Sequence, residues 1–158
     1  MSDAIKHECG LAFIRLRKPL HYYQQQYGTV FHGVNKLFLL MEKQHNRGQD
    51  GAGVAAIKLD PRPGLNYIDR QRSTDKQAIQ KIFGGIQKAY QAAIDRDPAL
   101  ADDPDRLKAE VPFMGEVLLG HLRYATHGAS DALENCHPRR RLSNWITRNL
   151  VLAGNFNM

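Results

Sequence analysis

The sequence predicts a layered α+β fold built on a mainly antiparallel sheet. Short apolar runs occur towards both ends of the 158-residue chain, at Leu11–Ile14, Val54–Ile57, Val117–Leu122 and Leu150–Ala153. Segments with helical spacing lie between these runs without the steady strand-helix alternation that a doubly wound parallel sheet requires. A hydrophobic content of 42% is enough for one core of ordinary size at a length typical of a single domain.

Taken in order, Leu11–Ile14 is a continuous apolar run and reads as a strand covered on both faces, with Cys9-Gly10 at its leading end. Gln24 to Gly28 is a polar interruption. Val30, Val34, Leu37, Phe38 and Met41 then recur at helical spacing, in a helix expected to end near Gln44. The glycine-rich stretch HNRGQDGAG follows, suited to close backbone approach, and leads into a strand at Val54–Ile57 that Pro61, Pro63 and Gly64 close. Tyr67–Arg70 reads as a further short strand. Thr74 and Gln77 fit a capping box for a helix carrying Ile79, Ile82, Phe83, Ile86, Tyr90 and Ile94, which Gly84 and Gly85 weaken by about 1 kcal/mol each. Residues 97–112 are acidic, contain Pro98, Pro104 and Pro112, and read as a connection or insertion. Val117–Leu122 and Leu150–Ala153 supply the last strands.

The net charge of +6 is scattered along the chain. Its dense run, Arg139-Arg140-Arg141 after Pro138, reads as a solvated loop, so no nucleic-acid partner is expected. No apolar run approaches the roughly 20 residues of a bilayer span, and MSDAIKHE is too polar for a secretory signal. A cytoplasmic protein without a membrane partner is therefore expected. Cys9 and Cys136 read as reduced thiols, and no Cys/His cluster suggests a metal site.

Cys9 is open to two readings, a small buried residue or a nucleophile. A thiol needs a base to become the reactive thiolate, and a cysteine at a chain's first position has one in its own α-amino group. Here that would require removal of residues 1–8.

Four segments occur in order: Cys9-Gly10, Arg47-Gly48-Gln49-Asp50-Gly51-Ala52-Gly53, Gly120-His121-Leu122-Arg123-Tyr124-Ala125-Thr126-His127-Gly128 and Leu152-Ala153-Gly154-Asn155-Phe156-Asn157. Together they resemble the class II glutamine amidotransferase domain, an N-terminal-nucleophile hydrolase. Gln49 after Arg47-Gly48 is similar to the amidophosphoribosyltransferase branch; sugar-phosphate amidotransferases tend to carry tyrosine there. Asn46, inserted before the Arg-Gly pair, departs from the family pattern.

The resemblance implies an αββα four-layer sandwich, truncated on its C-terminal side. Residues 1–8 would be a propeptide and 9–158 a partial glutaminase domain, with an insertion around 73–112. Cys9 would attack the side-chain amide of glutamine. Asn155 and the backbone N–H of Phe156 would stabilise the oxyanion, Phe156 standing where the family usually has glycine. Arg123, Tyr124, Thr126 and His127 would bind substrate, and Arg47, Gly48 and Asp50 would form the supporting loop. Ammonia would pass, in the full-length protein, to phosphoribosyl pyrophosphate, as in the first step of purine biosynthesis. The implied partners are glutamine, the remainder of the amidotransferase chain and further copies in a homo-oligomer. No cofactor is expected in this chain, and Mg²⁺ only with the absent phosphoribosyl pyrophosphate domain. A sugar-phosphate amidotransferase and a non-catalytic binding module are the alternatives.

Overall fold

Strands β1 (Gly10–Arg15), β2 (Ala52–Ile57), β3 (Ile68–Ser73) and β4 (Val117–Leu122) form the main sheet. The computed structural model describes residues 8–125 and 132–156. Although β4 is last in sequence it lies between β1 and β2, giving the order β1-β4-β2-β3 with every pairing antiparallel. Register follows from side-chain alternation. Gly10, Leu122, Ala52 and Ser73 share one row, and Leu11, His121, Gly53 and Arg72 share the next, pointing to the opposite face. The architecture is thus mixed α+β with antiparallel sheets.

One face is covered by helices. Helix α2 (His32–Lys43) lies against β1 and β4, and α3 (Ala78–Arg96) against β2 and β3. Leu37, Met41, Ile79, Ile82 and Ile86 meet Ala12, Val54, Ala56, Leu118 and Leu122 in one core. The helical spacing read from the sequence is the spacing of these buried positions. The capping box at Thr74 and Gln77 does not form. Gln77 caps α3 without a side-chain bond, and the approach is instead shaped by Ser73 Oγ accepting from Asp75 N and Asp75 Oδ1 accepting from Gln77 N.

Two helices lie where the sequence suggested none. The polar stretch around Gln24 belongs to α1 (Leu20–Tyr27), which buries Leu20 and stops at Gly28, whose φ of 70° a residue with a Cβ adopts at a cost. The rings of Tyr23, Tyr27 and His32 stack across the turn that follows. The acidic, proline-containing stretch forms a 3-10 helix at Pro98–Asp102 and then α4 (Pro104–Glu110). Asp97 and Asp103 cap them, each with proline in the first helical positions, where its missing N–H costs nothing. Leu100, Leu107 and Val111 from this stretch are fully buried, so it is built into the core.

The opposite face of the sheet is covered in part. Strands β5 (Arg139–Arg141) and β6 (Leu150–Leu152) pair as a second, two-stranded sheet. The arginine run is therefore a strand and not a solvated loop, with Arg140 Nη1 donating to Ile68 O at 3.0 Å. Gly53 permits the close approach of the chain leading into β5, since a Cβ there would collide with the His137 carbonyl oxygen. This second layer lies over β2 and β3, at the far side of the sheet from β1. Leu11 and Phe13 remain 47% and 60% exposed, so β1 is covered on one face and not on both.

Leu107→Ala should destabilise the protein by about 2–5 kcal/mol in denaturant unfolding, the cost of a cavity in a filled core. Phe13→Ser should change stability by less than about 0.5 kcal/mol, because that side chain loses little contact.

Candidate active site

The site grows from the end of the sheet at which the row Gly10, Leu122, Ala52 terminates. One residue further on, Cys9 faces the chain leaving β4, and its Sγ accepts from Tyr124 N at 3.4 Å. Past the strand ends, backbone groups must find partners elsewhere. Arg123 N donates to Gly51 O at 2.8 Å, Asp50 N donates to Arg123 O at 3.0 Å, and Ala125 N donates to Asp50 Oδ2 at 2.8 Å. Asp50 thus clasps the chain on both sides of Tyr124 and sets where that N–H points.

Gly48 packs directly on the same backbone. A Cβ at this position would lie 2.7 Å from the carbonyl carbon and oxygen of Arg123. Arg47 stands outside, exposed and 3.6 Å from the exposed Glu8 carboxylate, a pair of little energetic consequence. Arg123 is buried, with Nη1 3.3 Å from Ala132 O. It also adjoins Cys136: burial pushes that thiol's pKa up, and the nearby guanidinium partly opposes the shift.

A second group of residues, not singled out in the sequence as functional, holds the segment that carries Asn155. His137 Nδ1 lies 3.0 Å from Gly154 O, one residue before Asn155. The His137 ring is 4.8 Å from that of His121 and 4.9 Å from that of Phe156. Phe156 also covers Gly154, where a Cβ would strike its ring. The non-glycine residues of positive φ among those described are Asp60 and Phe113, so the Cβ of Phe156 carries no left-handed strain. The phenylalanine that replaces an expected glycine therefore acts here as an aromatic brace.

His121 is 2% exposed, and neither ring nitrogen has a hydrogen-bond partner of good geometry among the described residues, the Gly154 backbone being the polar group that weakly supports its charged form. Burial, aided by His137, lowers its pKa to about 4, while burial also lowers that of His137. Both rings are neutral at pH 7. The signal for His121 was its place within an otherwise apolar strand; for His137 the sequence offered none.

The structure thus gathers Cys9, Gly48, Asp50, Arg123 and Tyr124 at one end of the sheet, and it braces Asn155 and Phe156 through His137 on the sheet's outer face. Thr126, His127 and residues 1–7 lie outside the described residues. Among the described residues no group of three or more His, Cys, Asp or Glu side chains is arranged to hold a metal ion, and no helix is long and apolar enough to cross a membrane. No family model, curated protein or solved structure matches the chain.

Gly48→Ala should cost about 1–3 kcal/mol in unfolding experiments, because the added methyl meets backbone and no flexible side chain. The buried His121 gives stability a pH dependence of definite sign. Its pKa is about 4 folded and about 6.5 unfolded, so the unfolded chain binds more protons between those values. Stability should be full above about pH 6.5 and fall by on the order of 3 kcal/mol as pH drops towards 4. His137 contributes in the same direction. Urea unfolding across this range should show the slope, and His121→Gln should flatten it.

Proposed function

We propose that this chain is the glutaminase portion of a class II glutamine amidotransferase of the amidophosphoribosyltransferase type, with Cys9 as nucleophile. The observation that carries the reading is the meeting of Cys9, the Gly48–Gly51 loop and the Arg123–Tyr124 segment, distant in sequence, around one thiol at a sheet end. Arg123, buried in the same segment, carries the planar guanidinium that this reading assigns to the α-carboxylate of glutamine, a fork of donors suited to bidentate pairing.

In this mechanism cleavage between Glu8 and Cys9 frees the α-amino group, which takes the thiol proton. The thiolate sulfur attacks the side-chain amide carbon of glutamine, and the carbonyl electrons move onto oxygen. Asn155 and the Phe156 N–H donate to that oxyanion, an arrangement that typically contributes about 3–4 kcal/mol per donor. Collapse expels ammonia, which leaves with the proton held by the α-amino group, and a glutamyl thioester remains. Water then attacks the thioester, releasing glutamate and restoring the thiol. In the complete protein the ammonia passes to phosphoribosyl pyrophosphate, bound with Mg²⁺ by a separate domain. In the complete four-layer sandwich, the apolar outer surface of β1 at Leu11 and Phe13 packs beneath further strands of the second sheet, and the protein acts in the cytoplasm as a homo-oligomer.

The test is intact-mass measurement before and after exposure to 6-diazo-5-oxo-L-norleucine, an electrophilic glutamine analogue. The expected result is loss of residues 1–8 and a single adduct, absent from Cys9→Ser and retained in Cys136→Ser. A folded protein that keeps residues 1–8 and takes no adduct, both as this chain and within the longer gene product, would exclude the glutaminase reading.

A further inference from the structure

At the edge of the main sheet away from β1, strand β3 carries a concentration of positive charge. Residues two apart on a strand share a face, so Arg70 and Arg72 stand on the same side of β3 with their backbones about 7 Å apart. The chain leading through β5 brings a third arginine to them. Arg140 Nη1 donates to Ile68 O at 3.0 Å, while Arg72 Nη1 donates to Cys136 O at 2.8 Å and to Glu134 O at 3.4 Å. Residues 136–140 therefore run back along β3, and Arg70 lies between the two anchored arginines. All three side chains belong to half-buried residues.

No carboxylate answers this charge. None of the ion pairs among the described residues includes Arg70, Arg72 or Arg140. Glu134 offers Arg72 its carbonyl oxygen and not its carboxylate. The Arg70 guanidinium makes no hydrogen bond either among the described residues, and burial together with the charges of Arg72 and Arg140 lowers its pKa. The backbone adds donors of its own. Lys58 N donates to Tyr67 O, so the alternation of the antiparallel ladder turns the N–H groups of Arg70 and Arg72 away from β2, to the free edge.

Charge and shape select the occupant. The three guanidinium groups repel one another, and an anion among them reverses the sign of that interaction. A monocarboxylate would leave two of the three charges unanswered, and its planar pair of oxygens suits one fork at a time. A phosphate group brings about two negative charges and at least three acceptor oxygens, enough to accept from several forks and an edge N–H together. We propose that the β3 edge at Arg70, Arg72 and Arg140 is a binding site for a phosphate group, free or as the monoester of a small metabolite. The site makes no use of Cys9 and does not depend on the glutaminase reading.

Amide NMR spectra of the ¹⁵N-labelled protein test this at constant ionic strength, with inorganic phosphate, methyl phosphate and acetate added separately at about 10 mM, a concentration suited to millimolar affinity. Phosphate should shift amides in residues 68–72 and 136–140, and acetate should shift them weakly. Equal shifts with methyl phosphate assign the site to monoesters, whereas shifts with inorganic phosphate alone assign it to the free ion. Arg70→Gln, which removes no internal hydrogen bond, should weaken phosphate binding at least tenfold, with Arg70→Lys in between. Lys88→Gln, the same change in net charge at an exposed position of α3, should bind as the unmodified protein does. The assignment is overturned if neither phosphate moves these amides, if acetate moves them as strongly, or if Arg70→Gln binds no more weakly than Lys88→Gln.

Discussion

The register of β4 between β1 and β2 is the constraint on which the rest of the structure depends. Over Val117–Leu122 each residue is paired on both sides, so the strand fixes two neighbours at once. A slip of one residue would turn Leu118 and Leu122 out of the core and drive His121 into it. The present register places His121 on the outer face opposite Leu11 and Gly53, within reach of His137, and puts Arg123 and Tyr124 just beyond the last row, opposite Gly51 and Cys9. Core packing therefore selects the same register that assembles the candidate site.

The two faces of the sheet are stabilised differently. The helical face is held by aliphatic burial among α2, α3 and the small residues of β2, where alanines and Val54 let two helices lie close to the backbone. The outer face relies on specific contacts: Gly53 beneath the His137 carbonyl, Arg72 Nη1 donating to Cys136 O at 2.8 Å, Arg140 donating to Ile68 O and Asn149 Nδ2 donating to the Tyr67 hydroxyl. Each fixes β5 and β6 over β2 and β3 without covering β1. Leu11, Phe13, Trp145 and Ile146 consequently remain exposed.

How much of this was legible in the sequence depends on where side-chain pattern carries the information. β2, β4, α2 and α3 announced themselves because burial imposes a period on long apolar segments. Helix α1 did not, since it buries one leucine and owes its form to a glycine stop and stacked rings. The stretch before β4 was misread for a physical reason: proline breaks a helix from within but starts one when it follows a capping aspartate, as at Asp97-Pro98 and Asp103-Pro104. Cys9, Asp50 and Arg123 stood out through the motifs in which they occur. His137 could not, because it is notable for contacts with residues of other elements, the ring of His121 and the carbonyl of Gly154.

The backbone around Tyr124 shows what the end of a sheet offers a thiol. Within β4 every main-chain donor and acceptor has a neighbouring strand to meet; past Leu122 the partners run out. The protein meets the shortage with an aspartate side chain for Ala125 N, a loop carbonyl for Arg123 N and the Cys9 sulfur for Tyr124 N. Sulfur thereby occupies the place of a carbonyl oxygen in a continued ladder, so the rigidity of the sheet extends to the thiol without enclosing it. A cysteine deeper in β1 would be locked behind side chains of the adjoining rows, and one further from the strand would lose its fixed direction.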